Sequence, residues 1–287
     1  MGLWSPEAAH IYVETFRATW GGLEDASLRR ALHEGTDHAR LFAVRALGAT
    51  RAQEARAELL PLLASERPLE RWASALELGK LREERALPAL WHLLTEFLPP
   101  APVDRASEYY RAWRTEVPFL LGAWGRPESV PPLRAGLQAA LRVELTLDPA
   151  DGASGSDLYS WSLYEDALVY ALGRLGGFGA LAGIAGAETP SHRYPGIEGV
   201  GPPQTHLDQW RVHLVMGALH GRYELVGNWT FAETPGLLAE ATGLLERLFG
   251  VDADAAAPAL ERYEAEMGFY LTQLLEFARA RRDTGAA

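Results

Sequence analysis

The chain has 287 residues and a formal net charge of −11, from 27 Lys and Arg against 38 Asp and Glu. Apolar residues make up 48%, enough to bury a sizeable core, which excludes a disordered chain. Cysteine is absent, so disulfides, thiolate metal sites and Cys nucleophiles are excluded together, and the acidic balance argues against nucleic acid and anionic membrane surfaces as partners.

Residues 1–35 read as a helical pair, about Pro6–Thr19 and Glu24–His33, that shields the first repeat as an N-terminal cap. Its start carries Glu7 and His10 and has no apolar run of signal-peptide type. A helix is expected from about Asp37 to Leu47, with Thr36 or Asp37 capping its free N–H groups. Gly48 comes next, where a C-terminal cap needs a positive φ. A second helix, about Ala52–Leu63, places Ala55, Leu59, Leu62 and Leu63 on one face.

This two-helix signature recurs. Thirty-one residues on, Arg71 stands for Arg40, Ser74 for Ala43, Leu78 for Leu47 and Gly79 for Gly48. Ala86, Leu90, Leu93 and Leu94 then repeat the second helix. A third copy centres on Gly122, with Arg114, Leu121, Leu133 and Leu137 in register, and a looser fourth on Gly173. Pro118 falls inside the third copy's first helix and is expected to kink it. Turn-prone stretches at 97–106 and 142–157 separate these copies, and only Val143–Leu147 alternates like a strand.

The repeats span 36–185, and a Gly- and Pro-rich loop covers 186–204. Residues 205–287 read as C-terminal helices, about 205–220, 235–249 and 255–282, that keep the repeat pattern poorly. The longest mildly apolar stretch, Phe178–Ala187, is too short for a bilayer, so a cytoplasmic location is expected. Neither helix of a pair can bury its apolar stripe alone, whereas stacked pairs can. The fold class expected is all-α, with residues 1–287 forming one α-solenoid.

The run Asp37-x-x-Arg40-x-x-Ala43-x-x-Ala46-Leu47-Gly48, and its second copy through Arg71, Leu78 and Gly79, resembles HEAT-like repeats of the phycobilisome-lyase type. The resemblance is good over 37–96, fair over 106–141 and weak over 157–184. It implies a right-handed α-α superhelix whose glycine-terminated helices line a concave side. It also implies a non-catalytic scaffold, adaptor or assembly factor as the commonest role, with bilin-lyase-like maturation factors and HEAT-like DNA glycosylases as alternatives. The net charge disfavours the glycosylase, and favours a protein partner with a basic face.

Several residues are candidates for a groove. Tyr110 and Trp113 lie on the third glycine-terminated helix, and Trp161 and Tyr164 on the fourth; such rings serve either as interface anchors or as core. Arg114 shares the repeat position of Arg40 and Arg71, a stripe that binds anions or pairs with the neighbouring unit. Glu165 replaces that arginine in the fourth copy, so the ladder is expected to break there. Beside Trp161 and Tyr164 it is the one carboxylate placed for a raised pKa, unless solvated or paired. His206, His213 and His220 are seven apart, a rise of about 10.5 Å per step. That is too far for one metal ion, so His206, His213 and His220 are read as flanking a groove or interface. No catalytic set, metal or cofactor is expected.

Overall fold

In the computed structural model the glycines that mark the repeat lie inside helices rather than after them. The structure describes residues 16–22, 24–50, 55–96, 107–141, 155–177, 203–222 and 236–252, with Glu14, Ala256, Pro258 and Leu260. These form helices and turns, with no strand among them. In chain order the helices are α1 (Asp25–Glu34), α2 (Asp37–Thr50), α3 (Ala55–Leu59), α4 (Pro68–Lys80), α5 (Leu87–Glu96), α6 (Ser107–Trp124), α7 (Val130–Ala140), α8 (Gly155–Arg174), α9 (Pro203–Arg222) and α10 (Leu237–Phe249). A 3-10 turn, Leu60–Ala64, extends α3, and two more lead into α5 and α7. The strand-like Val143–Leu147, the loop stretch 186–202 and most of the last expected helix fall outside the described residues. None of the described helices is long and apolar enough to cross a membrane.

The described residues fall into two compact units, one reaching Trp113 and the other beginning at Arg114. In the first, α2 packs on α1 and on α4, and α4 packs on α5. Thr36 takes the α2 cap, its Oγ1 accepting the Ala39 N–H at 3.4 Å. Pro68 opens α4, where the missing N–H is no loss. The core is built from the apolar positions that the repeat pattern selects: Leu41, Val44 and Leu47 of α2, Ala75 and Leu78 of α4, and Leu90, Leu93 and Leu94 of α5 are all buried. Each such leucine contributes about 1.5–3 kcal/mol when taken out of water.

In the second unit α9 lies along α8, with α7 also against α8 and α10 against α9. Phe119, Tyr170, Val212, Met216 and Leu219 share its core with Leu237, Leu244 and Leu245. α6 continues through Pro118 to Trp124.

The expectation for the repeat glycines needs correcting. Gly48 lies within α2, Gly79 within α4, Gly122 within α6 and Gly173 within α8. The left-handed residue comes three positions later: Arg82 (φ 53°), Gly125 (φ 77°) and Gly176 (φ 76°). At the end of α4, the Arg82 N–H donates to the Gly79 carbonyl at 2.9 Å and the Glu83 N–H to the Leu78 carbonyl at 3.0 Å. The same pair closes α8, from Gly176 to Gly173 at 2.9 Å and from Gly177 to Leu172 at 2.7 Å. This is a Schellman end in which the repeat glycine supplies a carbonyl and the third residue beyond it turns the chain.

The repeat glycine instead serves close packing. A Cβ on Gly48 would stand 2.5 Å from a carboxylate oxygen of Glu77 in α4, and one on Gly122 would stand 3.0 Å from Cα of Ala171 in α8. At Gly173 it would meet the Leu214 carbonyl oxygen of α9 at 2.0 Å. Facing it, Gly217 and Gly221 of α9 would meet the carbonyl oxygens of Tyr170 at 2.1 Å and Arg174 at 2.8 Å. The backbones of α8 and α9 therefore touch across a strip that admits no side chain.

Candidate functional site

Two of the repeat arginines, Arg40 and Arg71, are structural connectors. Arg40 donates from Nε to the Gly35 carbonyl at 2.8 Å and from Nη2 to the His33 carbonyl, closing the end of α1. Its Nη1 reaches Glu70 of α4 at 3.0 Å. Glu70 is buried and also accepts from the Ser65 hydroxyl at 2.7 Å. Arg71 follows the same plan, donating to the Ser65 carbonyl at 2.9 Å and to Glu96 at 2.8 Å. One α2 arginine outside the repeat alignment also serves this interface. Glu77 of α4, fully buried, lies 3.0 Å from Nη1 of Arg45 and 3.0 Å from Nζ of Lys80, the chain's one lysine. A buried carboxylate needs such cations to offset its lost hydration.

Of the residues singled out as groove candidates, the side chains of Tyr110, Trp113, Trp161 and His206 lie outside those described. The other four lie in the second unit and are buried: Arg114, Tyr164, Glu165 and His213. Burial pushes the Tyr164 phenol well above its ordinary pKa; the Arg114 charge opposes that shift and the Glu165 charge adds to it.

No arginine stands at the ladder position of the fourth copy, and a histidine contact lies beside Glu165. One residue on, Asp166 Oδ2 of α8 faces His213 Nε2 of α9 at 3.5 Å, both side chains buried. One turn further, the Tyr170 hydroxyl lies 2.9 Å from His220 Nδ1. Arg174 Nη1 donates to that hydroxyl at 3.5 Å. Burial, reinforced by the Arg174 charge, pulls His220 down to a pKa of about 3, so its ring is neutral at neutral pH. Burial pushes the Tyr170 phenol up, against the charge and hydrogen bond of Arg174. His213 and His220, expected to flank a groove, thus face α8. Among the described residues no three His, Asp or Glu side chains come together as a metal site requires.

One open feature has no counterpart in the sequence pattern. A cleft of about 390 Å³ opens between α4 and α5, with Leu63 and Arg85 contributing from the turns before them. Its apolar wall includes Trp72, Ala75 and Leu93. At one side Glu96 gathers Arg71 Nη2 at 2.8 Å, Trp72 Nε1 at 2.8 Å and, more distantly, His92 Nε2 at 3.5 Å. Arg71 and Glu96 are 25 residues apart, so no local pattern could have joined them.

Paired helices stacked through glycines and arginine–carboxylate rungs define an all-α repeat architecture for the first unit. Residues 26–107 match the family of HEAT repeats, and the chain is HEAT-like over that stretch. No curated protein and no solved structure matches it.

Proposed function

We propose that this chain is a non-catalytic interaction scaffold or assembly factor, its helix pairs stacked as a right-handed superhelix that offers a concave face to a protein. The observation that carries this reading is the HEAT-like match over 26–107, since HEAT repeats are generally protein-interaction scaffolds. The fate of the charged residues supports it: Arg40, Arg71, Glu77, Asp166 and His213 join neighbouring helices. The proposed contacts are Tyr110, Trp113, Trp161 and His206. With a net charge of −11, the partner face is proposed to be basic, and the protein to act in the cytoplasm.

The test is affinity capture with the full-length chain, then association kinetics with each captured protein. Association should slow as salt rises, because the screening length shrinks from about 10 Å at 0.1 M to about 3 Å at 1 M. A Trp113→Ala/Trp161→Ala variant with an unchanged melting curve should lose the partner. A variant that keeps every partner would end the assignment of this face. The absence of any stoichiometric protein partner would end the scaffold reading itself.

A further inference from the structure

We propose that the cleft between α4 and α5 binds a small organic acid, an apolar body about the size of one ring bearing a carboxylate. Its volume of about 390 Å³ is within the ~300–1,000 Å³ typical of ligand pockets. The apolar body would lie against Trp72 and Ala75 of α4 and Pro88, Ala89 and Leu93 of α5.

The polar lining selects the head group. Glu96 would repel an anion, but its oxygens already accept from Arg71 and Trp72, and the Arg71 charge answers its own. Arg71 also donates to the Ser65 carbonyl. Arg85 is different. Its side chain is 67% exposed, and its Nε donates to Glu83 at 2.7 Å. Among the described residues its two terminal nitrogens have no partner. Arg71 is matched by Glu96 and Arg85 by Glu83, so the charges balance, and the open terminal donors of Arg85 are what the lining offers a head group. The guanidinium fork suits a carboxylate, and donors without an acceptor of their own offer nothing to a cation. A free aryl acid and the C-terminal residue of a polypeptide both present this chemistry.

Ligand-observed NMR on the full chain tests the proposal with phenylacetate, phenylacetamide, and N-acetyl-Gly-Phe as free acid and as amide. At least one acid should bind, and about fivefold more tightly than its amide, the limit for so exposed a charge. Binding by phenylacetate alone assigns the free acid as the source, and binding by the peptide acid alone assigns a polypeptide terminus. Arg85→Gln should bring the acid down to the level of its amide and leave the amide unchanged. Ala89→Trp, which fills the cleft from its rim, should abolish both. The proposal is overturned if no acid binds, if acid and amide bind equally, or if Arg85→Gln changes nothing. It also fails if Ala89→Trp, with a normal melting curve, still binds.

Discussion

The hydroxyl of Tyr170 on α8 lies 2.9 Å from Nδ1 of His220 on α9, inside a helix contact that glycine makes possible. Arg174 donates to the same hydroxyl at 3.5 Å, so the phenol oxygen stands between the guanidinium and the imidazole. Charge, phenol and imidazole form one short relay along the interface.

That relay gives the fold a dependence on acid. An unfolded histidine titrates near 6.5, whereas His220 in the fold is held at about 3. Between those values the unfolded chain binds a proton that the folded chain refuses. The stabilisation is therefore complete above about pH 6.5 and is lost as pH falls toward 3. Between pH 7 and 5 the loss is about 2 kcal/mol. Urea unfolding at the two pH values measures it, with His220→Gln as the comparison, since carboxylates also contribute to the wild-type slope. Identical slopes in the two proteins would refute the assignment. Tyr170→Phe, which strands Nδ1, should cost about 1–3 kcal/mol at pH 7.

Two kinds of helical glycine should respond oppositely to alanine. At Gly173 and Gly217 the new Cβ would fall 2.0 and 2.1 Å from carbonyl oxygens of the facing helix, so α8 and α9 must part. Overpacking of this kind costs about 1–3 kcal/mol or more, and more is expected where the clash is with backbone. At Gly243 in α10 an added Cβ would have nothing within 4 Å. There alanine should add about 1 kcal/mol of helix propensity. Thermal melting of the three single variants reads the sign directly.

Glu77 holds two cations against Gly48. Glu77→Ala should leave the half-buried Arg45 and Lys80 without their shared carboxylate and cost up to about 3–5 kcal/mol in denaturant unfolding. Replacing Arg45, Glu77 and Lys80 together with apolar residues of similar volume should cost much less than Glu77→Ala. If the triple change is as damaging as the single one, stranded charge is not the cause.

Arg82 occupies a left-handed position, φ 53°, that glycine fills at the matching ends of α6 and α8. A non-glycine residue there costs about 1–2 kcal/mol, and glycine returns part of that through the unfolded chain's added freedom. Arg82→Gly should raise stability by up to about 1 kcal/mol. A lowered midpoint in urea would show that the arginine side chain holds something in place.

The repeat and its core were legible because a helix writes its buried face into local spacing. Leu47, Leu78, Leu121 and Leu172 recur one residue before a glycine, and all four are buried. The arginines at 40 and 71 were legible as connectors for the same reason, although Glu70 and Glu96 were not legible as their partners. The cap was misplaced by three residues because glycine has two uses that look alike in a string of letters. One is freedom of φ; the other is the absence of a Cβ.

Helical periodicity, the recurring pair of leucine then glycine, the absence of cysteine and the acidic charge were thus decided by the sequence alone. Tertiary structure decided which carboxylate meets which cation, that His213 and His220 face Asp166 and Tyr170, and that a cleft opens between α4 and α5. The reason is register. Contacts along one helix arise from spacings of three and four residues, whereas contacts across stacked helices join residues 25 to 50 apart whose meeting depends on how closely two backbones approach.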